Sequence, residues 1–263
     1  MNMIAIILAG GLGTRISNET TKKPKPLILI NNKPIISYII SHYRKHHINK
    51  FIIAGGYKFE KLSQYFHSMK KDDNMFFDNG TTNKIEPQKH NKFLNSPKKN
   101  KFFVKVINTG LKTQTGGRIM KLKSLLKEQD HFFLTYGDGI SNVNINKTYK
   151  QFKKQNYIAQ VTAVRSPPRF GEIKFSKRNK SVKKFSEKPS KDASWINGGF
   201  FILRNKALDF LKKDENFEKD ILPRIVKKKG LSFYKHSGYW QCMDTPRDKE
   251  KLEKDIKSGK IRF

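Results

Sequence analysis

Residues Ile4 to Leu8 are all apolar, and they lead straight into Gly10-Gly11-Leu12-Gly13-Thr14-Arg15. A strand apolar on both faces belongs inside a parallel sheet, and the glycines then require a turn at its carboxyl end. Glycine permits positive φ and carries no Cβ to hold a ligand away. Successive backbone N–H groups can therefore form a concavity for anions. Thr14 adds a hydroxyl, and Arg15 adds a forked donor that is always charged. The glycine spacing departs from G-x-G-x-x-G, and no G-K-[ST] follows, so neither of the commoner nucleotide loops is present. Glycines alone would equally make an ordinary left-handed turn. Thr14 and Arg15 shift the balance toward phosphate.

Strand-like and helix-like segments alternate along the rest of the chain, which predicts an α/β fold with a mostly parallel sheet. Pro34 is placed to open a helix through His46, with Ile35, Ile36, Ile39, Ile40 and Tyr43 on one face. Strands are expected at Phe51 to Ala54, Phe102 to Ile107, Phe132 to Tyr136 and Ile158 to Val164. Helices are expected at Phe59 to Phe66, Gly117 to Lys127 and Asn146 to Gln155. Short β segments follow around Gly171 to Phe175, Val182 to Phe185 and Gly199 to Leu203. Next come helices at Ala207 to Lys213 and Glu218 to Lys228, a strand at Leu231 to Lys235 and a helix at Pro246 to Lys257. Residues 68–101 are polar, Asn/Lys-rich and longer than an ordinary connection, so they read as an irregular excursion. No linker divides the chain, and 1–263 is expected to form a single domain.

Three side chains suit phosphate chemistry. Lys25 stands between Pro24 and Pro26, which fix φ and bias the preceding residues toward extended backbone. Such a lysine has lost backbone freedom before any ligand arrives, and its charge suits a pentacoordinate phosphorus. In so lysine-rich a chain a solvated loop lysine is the simpler alternative. Asp138, in Tyr136-Gly137-Asp138-Gly139, follows an apolar run and should sit in the crevice where open α/β sheets bind ligands. Asp244, in W-Q-C-M-D-T, ends another strand-like run. If the two converge they supply hard oxygens for Mg²⁺. The alternatives are a turn aspartate at 138 and a helix N-cap at 244.

The formal net charge of +33 raises the question of nucleic acid. The lysines are spread along the chain, no basic run is interleaved with aromatics, and no Cys/His zinc spacing occurs, so no nucleic-acid partner is expected. The charge reads as compositional bias, and it should still attract anionic substrates at low salt. The seven histidines show no ligand spacing, and His42, His46 and His47 are expected to decorate one helix. One cysteine, Cys242, cannot form an internal disulfide, and it reads as a small half-buried side chain. Met3 to Ala9 is too short for a signal-peptide core, and no run reaches the roughly 20 apolar residues of a membrane span. A cytoplasmic protein without membrane contact is the expectation.

L-A-G-G-L-G-T-R, K-P-K-P (Lys23 to Pro26), T-G-G-R (Thr115 to Arg118), Y-G-D-G, Phe170-Gly171, E-K-P (Glu187 to Pro189), I-N-G-G-F-F (Ile196 to Phe201) and W-Q-x-M-D-T-x-R-D occur in that order. Together they resemble the sugar-1-phosphate nucleotidylyltransferases over nearly the whole chain, and within them the branch that uses CTP and glucose 1-phosphate. The resemblance implies a Rossmann-like domain with a mixed, mostly parallel central sheet and a small β-rich sugar-binding part. It implies attack of α-D-glucose 1-phosphate on the α-phosphorus of CTP, giving CDP-glucose and pyrophosphate, in a symmetric homo-oligomer. By matching position, Leu8, Ala9, Gly10, Gly11 and Leu12 would cradle the nucleotide, and Gly13, Thr14 and Arg15 would hold its phosphates. Thr113, Arg118 and Gly137 would complete that site, and Lys25 would act with Arg15 on the transition state. Asp138 and Asp244 would hold Mg²⁺. Gly171, Glu187, Lys188 and Asn197 would face the sugar phosphate. Another sugar phosphate, another nucleotide (dTTP or UTP), or a non-catalytic binding module are the alternatives. Residues 68–101 and Cys242, where proline is expected, depart from the family pattern.

Overall fold

The computed structural model describes residues 3–69, 75–80, 101–165, 172–175, 182–186 and 194–263. In chain order the strands are β1 Ile4–Ala9, β2 Leu29–Ile30, β3 Lys33–Pro34, β4 Lys50–Gly55, β5 Met75–Gly80, β6 Phe102–Asn108 and β7 His131–Tyr136. They continue with β8 Gly139–Ser141, β9 Ala159–Arg165, β10 Glu172–Phe175, β11 Val182–Ser186, β12 Trp195–Arg204, β13 Leu231–His236 and β14 Trp240–Cys242. The longer helices are α1 Ile35–Lys45, α2 Phe59–Ser68, α3 Thr115–Lys121, α4 Ile145–Lys153, α5 Leu222–Lys227 and α6 Pro246–Lys257.

One eight-stranded sheet runs β13-β9-β12-β7-β1-β4-β6-β5. β12 is antiparallel to both its neighbours, and every other pairing in this sheet is parallel. The sheet is therefore mixed and mostly parallel, as expected. β1 lies between β7 and β4. The chain leaves β1 toward β4 and returns to β7 on its other side, which makes the carboxyl end of β1 a topological switch point.

β1 is apolar throughout because both its faces are covered. Ala5, Ile7 and Ala9 join a core with Ile36, Ile39 and Tyr43 of α1, Leu62 and Phe66 of α2 and Phe152 of α4. Ile4, Ile6 and Leu8 join the opposite core with Ile119, Leu125, Phe217 and Ile221. Each such fully buried aliphatic side chain contributes roughly 1.5–3 kcal/mol over exposure. A third cluster joins Ile16, Ile28, Ile30, Ile140, Met243 and Leu252, which seats α6 against the segment that follows β1.

Several local expectations are corrected. Pro34 caps α1 from outside in extended geometry and closes a two-residue hairpin with Leu29. Asn31 and Asn32 both have positive φ, the geometry of a tight hairpin turn. Residues 68–101 are not wholly irregular, because Met75–Gly80 adds a parallel strand at the sheet edge beside β6. The segments 70–74 and 81–100 lie outside the described residues. The helix expected from Gly117 starts at Thr115 and breaks at Leu122. The one expected at Ala207 to Lys213 is a 3-10 segment, Asn205–Phe210, and Phe217–Ile221 forms a π turn before α5. Of the three histidines expected on one helix, His42 lies on α1, His46 caps its end and His47 lies beyond it with positive φ; His42 is buried beside Phe200, and burial lowers its pKa to about 4. Among the described residues no helix is long and apolar enough to cross a membrane.

Candidate active site

The loop after β1 takes its shape from Gly13, whose φ of 67° is left-handed and whose missing Cβ would sit 2.7 Å from a methyl of Thr20. A 3-10 turn, Thr14–Ile16, follows at once. The loop after β7 is tied to it, because Gly137 N–H donates to the Leu8 carbonyl at 2.9 Å. Between the two loops lies a cleft of about 570 Å³, within the size range of small-molecule sites. It is lined by Leu8, Ala9, Gly10, Gly11, Gly13, Thr14, Arg15, Lys25, Thr113, Arg118, Gly137, Asp138, Asn197 and Asp244. Leu12 does not line it and projects half-exposed from the loop. Gly171, Glu187 and Lys188 lie outside the described residues.

Strand pairing brings the two aspartates together. β8 and β14 are antiparallel with Gly139 opposite Cys242, and the Met243 N–H donates to the Asp138 carbonyl at 2.9 Å. Asp138 and Asp244 thus flank the pair on one side. Asp244 is not the cap of α6. Thr245 is, in a reciprocal capping box with Asp248 that does not use the Asp244 carboxylate.

Lys25 joins both carboxylates. Its Nζ lies 2.6 Å from Asp138 Oδ2 and 2.7 Å from Asp244 Oδ1, and Arg15 reaches Asp244 Oδ2 at 2.9 Å. Burial disfavours the ammonium, but the two aspartates outweigh it and hold the lysine pKa above its ordinary value. The extended backbone expected at Lys25 is overruled, since Lys25–Leu27 forms a 3-10 turn that begins on the extended Pro24. That turn folds the ammonium inward.

This donor set fits Mg²⁺. Two hard carboxylate oxygens converge on one point, and this ion is usually held by one or two carboxylates plus substrate phosphates. Among the described residues no group of three or more His, Cys, Asp or Glu converges, so the remaining ligands would come from substrate and water.

Arg118 lines the cleft, and much of its guanidinium is engaged by the protein's own backbone. Only 4% exposed, it donates to the carbonyls of Gly10 (2.9 Å), Gly55 (3.1 Å), Gly110 (2.9 Å) and Leu111 (3.4 Å), and to Thr109 Oγ1 (2.6 Å). Three segments, at the carboxyl ends of β1, β4 and β6, are drawn onto one guanidinium. A Cβ on Gly10 would stand 2.1 Å from it and one on Gly56 2.4 Å. These glycines admit the arginine as much as any ligand. Thr113 is likewise engaged, donating to the Thr109 carbonyl at 2.5 Å.

Gln114, Thr115, Tyr136 and Trp240 also line the cleft, and the sequence alone assigns them no role. The last three stand in the quoted motifs, and that was the available signal. Trp240 Nε1 donates to the Gly198 carbonyl at 2.7 Å and fixes β12 beside the cleft. Cys242 also lines it. Burial first, then Asp244 and Asp138, push its thiol up to about 12, so it stays protonated and is no nucleophile at neutral pH.

Residues 4–257 match the model of the family described as "Nucleotidyl transferase". Glucose-1-phosphate cytidylyltransferase of Salmonella typhimurium is 37% identical over 98% of this chain and 97% of its own. The enzyme of the same name from Salmonella typhi matches to the same extent. HddC from Yersinia pseudotuberculosis shares the fold, with a TM-score of 0.65 and 23% identity over 97% of this chain and 99% of its own.

Proposed function

This chain belongs to the nucleotidyl transferase family, and we propose that it transfers a cytidylyl group from CTP to α-D-glucose 1-phosphate, releasing CDP-glucose and pyrophosphate. Two supports carry the reading. The first is the 37% identity, over nearly the full length of both chains, to glucose-1-phosphate cytidylyltransferases. The second is the junction of Arg15, Lys25, Asp138 and Asp244 beside a glycine loop at the sheet's switch point.

The nucleophile is a phosphate oxygen that has no proton to lose at neutral pH, so the reaction needs no general base. Its difficulty is bringing two polyanions together in line, which makes positioning and charge stabilisation the protein's task. Gly10 to Thr14 present backbone N–H groups to the nucleotide phosphates. Arg15, largely exposed at the mouth, gathers charge there. Lys25 exchanges its two carboxylates for the α-phosphate, and its ammonium stabilises the negative charge that builds there. Asp138 and Asp244 would hold Mg²⁺, which would supply Lewis-acid neutralisation of phosphate charge. Asn197 and, by resemblance, Gly171, Glu187 and Lys188 receive the sugar phosphate. A symmetric homo-oligomer belongs to the same reading. A non-catalytic module has no use for a lysine buried between two metal-competent carboxylates.

The acceptor is tested with CTP, Mg²⁺ and a panel of sugar 1-phosphates, with products identified by mass spectrometry. Glucose 1-phosphate is expected to exceed galactose and mannose 1-phosphate at least about tenfold in kcat/KM, because a site that hydrogen-bonds each hydroxyl rejects epimers. Equal or better use of another sugar would contradict the acceptor assignment.

A further inference from the structure

A chain of polar side chains runs under the cleft from the start of α3 to β12, and its centre is Glu218, which no motif singled out. Glu218 stands in the π turn Phe217–Ile221, a form often found at functional sites. Its Oε2 accepts from Thr115 Oγ1 at 2.7 Å, and its Oε1 accepts from the Tyr136 hydroxyl. The turn is clamped to α3. Gly116 and Gly117 donate to the Glu215 carbonyl, and the Phe217 N–H donates to Thr115 Oγ1 at 2.9 Å. A Cβ on Gly116 would stand 2.7 Å from that carbonyl and one on Gly117 1.8 Å from Asp214, so T-G-G-R needs its glycines to admit the turn.

The donors fix the direction of every bond. A carboxylate only accepts, so Thr115 and Tyr136 must both donate to it. Tyr136 has then used its one proton, and its oxygen can only accept. The group facing it is Asn197 Nδ2, at 3.5 Å. The other end of that amide, Oδ1, is taken by the Gly199 N–H at 2.8 Å. Asn197 is therefore held with its N–H₂ toward the cleft, as a donor suited to phosphate or hydroxyl oxygens.

We infer that Glu218 is a positioning residue for the sugar phosphate: it holds the Tyr136 oxygen as an acceptor that braces the Asn197 amide, whose orientation the Gly199 N–H fixes. This rests on the proposed role of Asn197. Thr115 anchors the same carboxylate on the nucleotide side, but its hydroxyl is turned away from the cleft by that bond.

Glu218→Gln keeps shape and volume but adds a donor, which frees Tyr136 to turn its proton toward Asn197 Nδ2, donor against donor, and displaces the amide from its place. KM for glucose 1-phosphate should rise about tenfold, the scale of one hydrogen bond. KM for CTP and the melting temperature should stay near wild type. Tyr136→Phe should do the same, and the double variant should add nothing further, because both act through one chain. Glu218→Asp, too short to reach the phenol, should not restore the wild-type value. Asn197→Ala separates the two readings. If it raises the sugar-phosphate KM while Glu218→Gln leaves it unchanged, the inference is overturned and the site stands. If Asn197→Ala leaves that KM unchanged, the sugar-site reading falls and the inference with it. Additive losses in the double variant, or equal rises in both KM values, would also overturn it.

Discussion

Asp138→Asn should lower turnover by about a thousandfold while the fold survives, a loss on the scale of removing a group that stabilises transition-state charge. The substitution exchanges a hard anionic oxygen for a neutral amide at the point where two carboxylates converge. Stability should change little. The Asp138 carbonyl still accepts from the Met243 N–H, and Lys25 keeps its pair with Asp244. Asp138 is also partly exposed, so its ion pair contributes modestly. Circular dichroism and melting should match wild type, while steady-state rates show the loss. Added Mn²⁺ or Mg²⁺ should recover part of it at millimolar concentration. A variant with a near-normal rate would refute the metal-ligand role.

Lys25→Ala should produce the second large effect, and it has two signs. kcat should fall by about a hundredfold to a thousandfold with smaller changes in KM, because the ammonium matters most when charge builds on phosphorus. Metal binding to the free protein should tighten, since the ammonium that sits between Asp138 and Asp244 competes for the same oxygens. Mn²⁺ titration followed by electron paramagnetic resonance separates the two. Tighter Mn²⁺ binding with a collapsed kcat is the expected pair of results. Unchanged or weaker Mn²⁺ binding would show that Lys25 and the metal do not share the carboxylates. In the wild type the raised lysine pKa also sets the pH behaviour. Its contribution to stability is complete below the unfolded lysine value and disappears only as pH rises through the higher folded value. Neutral pH should therefore show no titration from this group.

The legible parts of this fold are those set by neighbouring residues. β1 and its glycine turn could be read directly, because an apolar run buried on both faces has few other uses. The last helix begins at Pro246, as expected, because Thr245 and Asp248 cap it within one turn. That same local box explains why the Asp244 carboxylate turns to Lys25 and Arg15 and not to the helix end. β5 was missed because an edge strand in a polar, Asn-rich segment has no periodicity to betray it. The inward turn at Lys25 was missed because tertiary charges overrode the proline bias.

The site divides in the same way. Arg15, Lys25, Asp138 and Asp244 carry their chemistry in their side chains, and motif order brought them together on paper. Arg118 did not. Nothing in T-G-G-R says that its guanidinium is encircled by carbonyls from the ends of three strands. Glu218 was further out of reach, because its partnership with Tyr136, 82 positions away, exists only once α3 and the π turn pack together.

Initial rates of pyrophosphate release with glucose 1-phosphate and Mg²⁺, compared across CTP, dTTP, UTP and GTP, bear most directly on the proposed activity. The expected result is a kcat/KM for CTP at least about tenfold above each of the others, the discrimination available from hydrogen bonds to one base. A preference for dTTP, UTP or GTP would contradict the cytidylyl assignment while leaving the family membership in place.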